Sequence, residues 1–406
     1  MRSKIAILTV IYAHVLLIPW IDLLPPIIYR YGPFLLSVLL IISINNAWLY
    51  IKSPKDKFLG FMLFALMAST IVTSISVNEI NVDSVLLDDS NKLHYENNGI
   101  AFGITTALKV FFSFIFVQYV IDRKNVGIFI IYLYYVLTFY IIISDLDILI
   151  NGIHSTGSGY LLGNKFTVSY LHVFWAIIYN VYHQIKKTSH NYYVPLLCLA
   201  LIVAVAVRCS TSVVGILLLF AFQYIKILYK IIPYSRIAFI LLITGSILFA
   251  FFYAYILEIP FVQYFIVNVL GEDLTLTGRI YIYNAVINVI ELNPLWGMGI
   301  GNSYQLLSYL FGYPNAQNGF INLFLEQGLV GCLITMIITL HLVNKQRKQR
   351  NENYTTPIVV LIFIMIFLAL VEITIDLRYV FLLTILQITD YDIKQSAGLN
   401  KKVSVI

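Results

Sequence analysis

Most of the chain alternates between apolar runs of about 20 residues and short polar breaks, the pattern of helices that each cross a hydrocarbon core. The runs fall near 5–24, 33–51, 58–77, 100–121, 126–143, 161–181, 192–207, 213–229, 237–257, 319–342, 357–375 and 379–389. They predict an all-α polytopic membrane protein of about twelve spans. Nine of these belong to 1–257, a long polar segment occupies 258–318, and the remaining spans and a tail occupy 319–406. The stretch Thr277 to Gly331 is the longest that does not suit lipid. In it, Thr277 is a good N-cap, and 279–291 predicts a short amphipathic helix stopped by Asn293-Pro294. Tyr281, Asn284, Asn288 and Glu291 share its polar face.

Composition excludes a water-soluble protein: 60% of residues are hydrophobic, 11% are charged, and the mean hydropathy is +0.86. The opening MRSK and its apolar run lack a small-x-small cleavage site before Pro25-Pro26, so they read as a retained first span. With both ends cytoplasmic, nineteen of the 26 Lys and Arg fall on inner segments, among them Lys52, Lys55, Lys57, Arg123, Lys124, Lys345 and Lys348. The net charge of +6 is therefore a positive-inside signal and not a nucleic-acid footprint. Cys198, Cys209 and Cys332 form no CxxC pair and imply neither a disulfide framework nor a metal site.

Candidate chemistry gathers in the outer turns. Arg30, flanked by tyrosines, reads as an interfacial anchor, and His94 with Asp88 and Asp89 as a solvated loop. Asp145-Leu-Asp147 matches the DxD with which nucleotide-sugar enzymes hold a metal, but those sugars are cytoplasmic and this loop is expected outside. His154 follows in a mobile rim, Lys165 is expected to snorkel, and His172 to bond between helices. Arg208 lies in a very tight turn between two spans, open to either an anion or an anchoring role. Arg279 occupies the first turn of a helix, where a cation opposes the dipole, so an anion such as phosphate or pyrophosphate is expected there. Gly297, Gly299 and Gly301 do not match the dinucleotide fingerprint and suit a turn whose backbone approaches a ligand. Trp296, Tyr304, Tyr309 and Tyr313 suit sugar rings or a membrane-interface belt equally. Glu372, Asp376 and Arg378 lie close in sequence, with an Asp376–Arg378 ion pair expected.

Arg279, Pro294-Leu-Trp-Gly-Met-Gly, Gln317-Asn-Gly-Phe and Glu326-Gln-Gly-Leu-Val-Gly together resemble the O-antigen ligase and Wzy-type polysaccharide polymerase superfamily of bacterial envelope enzymes. The resemblance also takes in Arg208 and one large late periplasmic loop. It implies a GT-C-like bundle in the bacterial inner membrane, with the active site facing the periplasm. It further implies transfer of a growing glycan from undecaprenyl pyrophosphate to the terminal hydroxyl of the next lipid-linked repeat unit. Arg279 and Arg208 match the family's functional arginines, while Gln317, Asn318, Glu326, Arg378, Tyr281 and Gly299 are expected toward the substrate. No metal or cofactor is required. A flippase and a chain-length regulator are the partners implied. Ligase members carry a histidine where this chain has Gln317, with the spacing to Gly328 and Gly331 intact. Glutamine is not a general base, which favours a polymerase and leaves Glu326, His154 and Glu291 open for that role. A ligase acting on lipid A core and a lipid-linked sugar flippase are the alternatives, although no internal repeat supports the flippase.

Overall fold

The computed structural model describes residues 2–18, 24–52, 54–77, 99–153, 159–188, 191–232, 235–264, 267–268, 279–303, 306–308, 315–348 and 355–390. Each predicted apolar run forms helix. In chain order these are α1 (Arg2–Leu16), α2 (Pro26–Ile42), α3 (Ala47–Lys52), α4 (Lys57–Ser76), α5 (Gly99–Asp122), α6 (Val126–Asn151), α7 (Lys165–Lys186), α8 (Tyr193–Ala206), α9 (Ser210–Tyr224) and α10 (Lys226–Ile231). They continue with α11 (Arg236–Phe251), α12 (Tyr253–Leu257), α13 (Pro260–Tyr264), α14 (Arg279–Leu292), α15 (Gly319–Lys348), α16 (Thr356–Leu368) and α17 (Leu377–Leu386). No strand occurs among the described residues.

Among the described residues, four helical stretches are long and apolar enough to cross a membrane: Lys57–Ser76, Phe102–Asp122, Val126–Asn151 and Gly319–Gln346. Of the shorter apolar helices, Thr356–Leu368 and Leu377–Leu386 pack on Gly319–Lys348, while Tyr193–Ala206 and Ser210–Tyr224 pack on α7 and on each other. Leu35, Ile42, Phe61, Leu149, Ile202 and Leu241 point outward from the bundle. Apolar side chains on the outside as well as the inside are what a bundle solvated by lipid requires. Several hydroxyls inside the helices bond to the preceding turn, as Thr9 does to the Ile5 carbonyl and Thr73 to that of Ser69.

The two ends of the bundle differ. At one, Lys4 bonds to Asn45, Lys55 pairs with Asp122, and Asp56 accepts from His341 Nε2 at 2.7 Å and Lys345 Nζ at 2.9 Å. Asp56 also caps α4 through the Leu59 N–H. Burial pushes its carboxyl up, but the Leu59, His341 and Lys345 hydrogen bonds together outweigh this and hold it at about 2. The other end, called the loop end below, carries the 293–303 segment, the starts of α5 and α15, and the 369–376 connection.

Several boundaries differ from the sequence reading. The second predicted span breaks at Ser43–Asn46, where Asn46 takes φ 59°. α6 continues to Asn151, because Asp145 and Asp147 find partners without leaving the helix. The run 357–375 is helical only to Leu368, after which the chain turns to meet the start of α15.

Candidate functional site

The loop end is organised by a break in α15. At Gly328 the backbone takes φ 61°, ψ −169°, nine residues into a thirty-residue helix. A continuous helix would close rungs from Leu329 N to Leu325 O and from Val330 N to Glu326 O. Here both rungs are open and all four groups are bonded to the 294–299 segment. Leu329 N donates to Pro294 O at 2.9 Å, and Val330 N to Leu295 O at 3.1 Å. Met298 N donates to Leu325 O at 2.7 Å, and Gly299 N to Glu326 O at 3.0 Å. Irregular backbone at this depth is tolerable because protein, not lipid, satisfies it.

This contact explains the glycines. A Cβ on Gly297 would lie 2.4 Å from Gly328 N, and one on Gly328 would lie 2.4 Å from the Leu295 carbonyl. Gly297, Gly299 and Gly301 all have positive φ. The close approach expected of the GMGIG turn is thus made to the backbone of α15, and at Gly301 to the Phe102 ring. The segment is further tied to α4, with Thr73 Oγ1 donating to Trp296 O and Asn293 Nδ2 to Ser76 Oγ.

The Gln317-Asn-Gly frame is also structural in large part. Asn318 is fully buried and caps α15, its Oδ1 accepting from Phe320 N and Ile321 N, while its Nδ2 donates to Leu370 O at 2.9 Å. Gly319 N donates to Ala369 O, and a Cβ there would meet Ala369 Cβ at 2.9 Å. Gln317 takes φ 48°, and its carbonyl accepts from Tyr283. Nine residues then separate the cap from the break, so the motif spacing measures the first half of α15. Glu326 braces the glycine turn, its Oε1 accepting from Ser303 Oγ at 2.7 Å and Gly301 N at 3.2 Å.

Two adjoining cavities open beside this frame. The first, about 450 Å³, runs between α4, α5, α15 and α17 with a mainly apolar wall that includes Leu63, Val110 and Ile338, and ends at Asn322, Glu326 and Gln327. The second, about 460 Å³, is lined by α1, the starts of α7 and α17, and four charged side chains: Lys109, Glu372, Asp376 and Arg378. Phe102, Asn315, Ile373, Asp376 and Leu377 border both.

The sequence-predicted residues divide accordingly. Arg378 faces the second cavity, donates from Nε to Asp376 at 2.7 Å, and lies 5.2 Å from the Tyr170 ring centroid. The expected Asp376–Arg378 pair is therefore present. Arg208 is exposed in its turn at φ 55° and borders neither cavity, and Tyr281 is exposed on α14. Arg279 begins α14 where expected. Its side chain lies outside the described residues, as do those of Arg30 and Asn284. Asp88, Asp89, His94, His154, Thr277, Tyr304, Tyr309 and Tyr313 lie outside them entirely. The DxD aspartates are used internally: Asp145 Oδ1 meets His172 Nε2 at 3.0 Å, and Asp147 accepts from Asn151 Nδ2 and Leu161 N. His172, fully buried, is the interhelical residue expected.

Neither a protein-family model nor a curated protein sequence matches this chain. The site therefore stands on its geometry. That geometry adds one residue the sequence reading passed over. Lys109, 5% exposed within α5, was hidden inside an otherwise apolar run.

Proposed function

We propose that the chain elongates a polyprenyl-pyrophosphate-linked glycan at the outer face of the bacterial inner membrane, as an O-antigen or capsule polymerase does. The observation that carries the reading is the pair of joined cavities at the loop end, one apolar and one charged. A lipid-linked anionic donor has these two characters in one molecule. On this reading the basic end around Lys55, Arg123 and Lys345 is cytoplasmic, about twelve crossings result, and the loop end faces the periplasm.

The chemistry asks little of a base or a metal. Pyrophosphate leaves readily once its charge is neutralised, so cations, alignment and exclusion of water suffice. Arg279 at a helix start would meet the donor's phosphates, with Arg378 in the second cavity orienting the sugar side; Arg208, which borders neither cavity, enters this reading through the resemblance alone. The resemblance over 279–331 supports the same assignment. A carrier is the reading that the broken α15 favours, since broken helices mark transporter sites. Here, however, the freed backbone groups are bonded to the protein's own loop and are not turned toward a cavity.

Purified protein incubated with lipid-linked repeat units should produce a ladder of longer glycans. Arg279→Ala should leave single repeats despite normal insertion, and Arg279→Lys should recover little. Full-length chains from Arg279→Ala would remove that residue from the mechanism. Units that are never joined in detergent, but cross a vesicle membrane, would replace the polymerase with a carrier.

A further inference from the structure

Lys109 sits two turns below Phe102 on α5, about 10 Å further along the axis. Its side chain runs back toward the loop end, with Nζ 5.6 Å from the Phe102 ring centroid and facing the second cavity. That direction follows from the tilt of helical side chains toward the helix N-terminus. Only 5% of the residue is exposed, and no acceptor lies within hydrogen-bond distance of Nζ among the described residues. An ammonium in a membrane bundle is costly unless water or a counter-ion meets it.

The other charges of the cavity are already engaged. Asp376 accepts from the Arg378 guanidinium and from Arg378 N, and Glu372 Oε1 accepts from Ile373 N at 3.0 Å. Arg378 also donates to Ile373 O. Thr167 and Asn315 supply neutral hydrogen-bonding groups on the facing walls. The Phe102 ring packs closely on Gly301, where a Cβ would fall 2.3 Å from it.

We infer that this cavity is a binding site for a compact phosphate or pyrophosphate oxyanion, held by Lys109 Nζ over Phe102 and facing the Asp376–Arg378 pair. The assignment deepens the proposed function, and rests on it only for the molecule that carries the anion. In that setting Lys109 binds the donor's charged head from inside the bundle, while Arg279 approaches from the surface.

The test is equilibrium binding of inorganic pyrophosphate to the purified full chain in detergent, followed by ³¹P line broadening, with chloride-matched controls. Saturable binding is expected, weakened at least tenfold by Lys109→Met and partly retained by Lys109→Arg. Leu108→Ala, one residue before and lining neither cavity, should bind as the wild type does. Tighter binding of a short-chain isoprenyl pyrophosphate assigns the site to a lipid headgroup, and equal binding assigns it to a free anion. Lys109→Met, which removes a buried charge from an apolar helix, should elute as the wild type does in size exclusion; if it aggregates, Lys109→Gln takes its place in the same titration. Undiminished binding in a folded neutral variant, or no saturable binding by the wild type, would leave Lys109 as a solvated snorkelling residue and overturn the site. Binding that depends on Lys109 in a protein that joins no repeat units would keep the site and discard the polymerase.

Discussion

Asn318 and Gly328 are single residues on which the loop end depends, for different reasons. Asn318→Ala removes the cap of α15 and leaves Leu370 O without its donor, which should cost about 1 kcal/mol or more. Asn318→Asp keeps the acceptor and should recover the capping part, a difference readable in apparent melting temperature in detergent. Gly328→Ala forces a Cβ to 2.4 Å from backbone and adds strain at φ 61°. It should destabilise by at least roughly 1–3 kcal/mol, more than the same change at Gly245, whose Cβ would meet nothing within 4 Å. Sequence reading found these residues as a motif, but not their work. Backbone-to-backbone approach leaves no sign beyond the glycine itself. Lys109 escaped for the opposite reason, because one lysine in twenty-odd apolar residues barely alters a hydropathy average.

At the scale of elements, the helices were legible because an apolar run of membrane length admits little besides helix. Their ends were less so. α6 outlasts its predicted end because two aspartates, read as loop residues, each have a partner on α6, α7 or the Leu161 turn. The helix predicted over 279–291 appears as Arg279–Leu292, with Tyr281, Asn288 and Glu291 exposed as the polar face requires. At the opposite end, α4 and α15 are clamped through Asp56, His341 and Lys345. The folded carboxyl lies below its unfolded value, so this contribution is complete above the unfolded pKa of about 3.9 and is lost as pH falls toward 2. Acidification from pH 5 to pH 3 should therefore lower the melting temperature more in the wild type than in Asp56→Asn.

For the whole molecule, Lys4, Lys55 and Lys345 gather at one end of the bundle and the loop end lies at the other. What the sequence pattern does not convey is how the described part of 258–318 packs on the bundle. Ile282, Tyr283, Val286 and Met298 share one apolar core with Tyr253 of α12 and with Ile321 and Leu325 of α15. Single cysteines placed at Asn288 and at Lys57 of a cysteine-free protein should react with an impermeant maleimide from opposite sides of the membrane. Labelling of both from one side would undo the proposed orientation.

The exchange of hydrogen bonds at the break in α15 has a consequence for how the protein is made. Leu325 O and Glu326 O have alternative partners in Leu329 N and Val330 N, one turn away on the same helix. If residues 294–299 are deleted or fail to dock, the two rungs can close again and no backbone group of α15 is orphaned in lipid. The product is a straight rod, comfortable in the bilayer and wrong in shape. Loss of this segment should therefore yield a protein that inserts, persists and does nothing, escaping any surveillance that recognises exposed backbone.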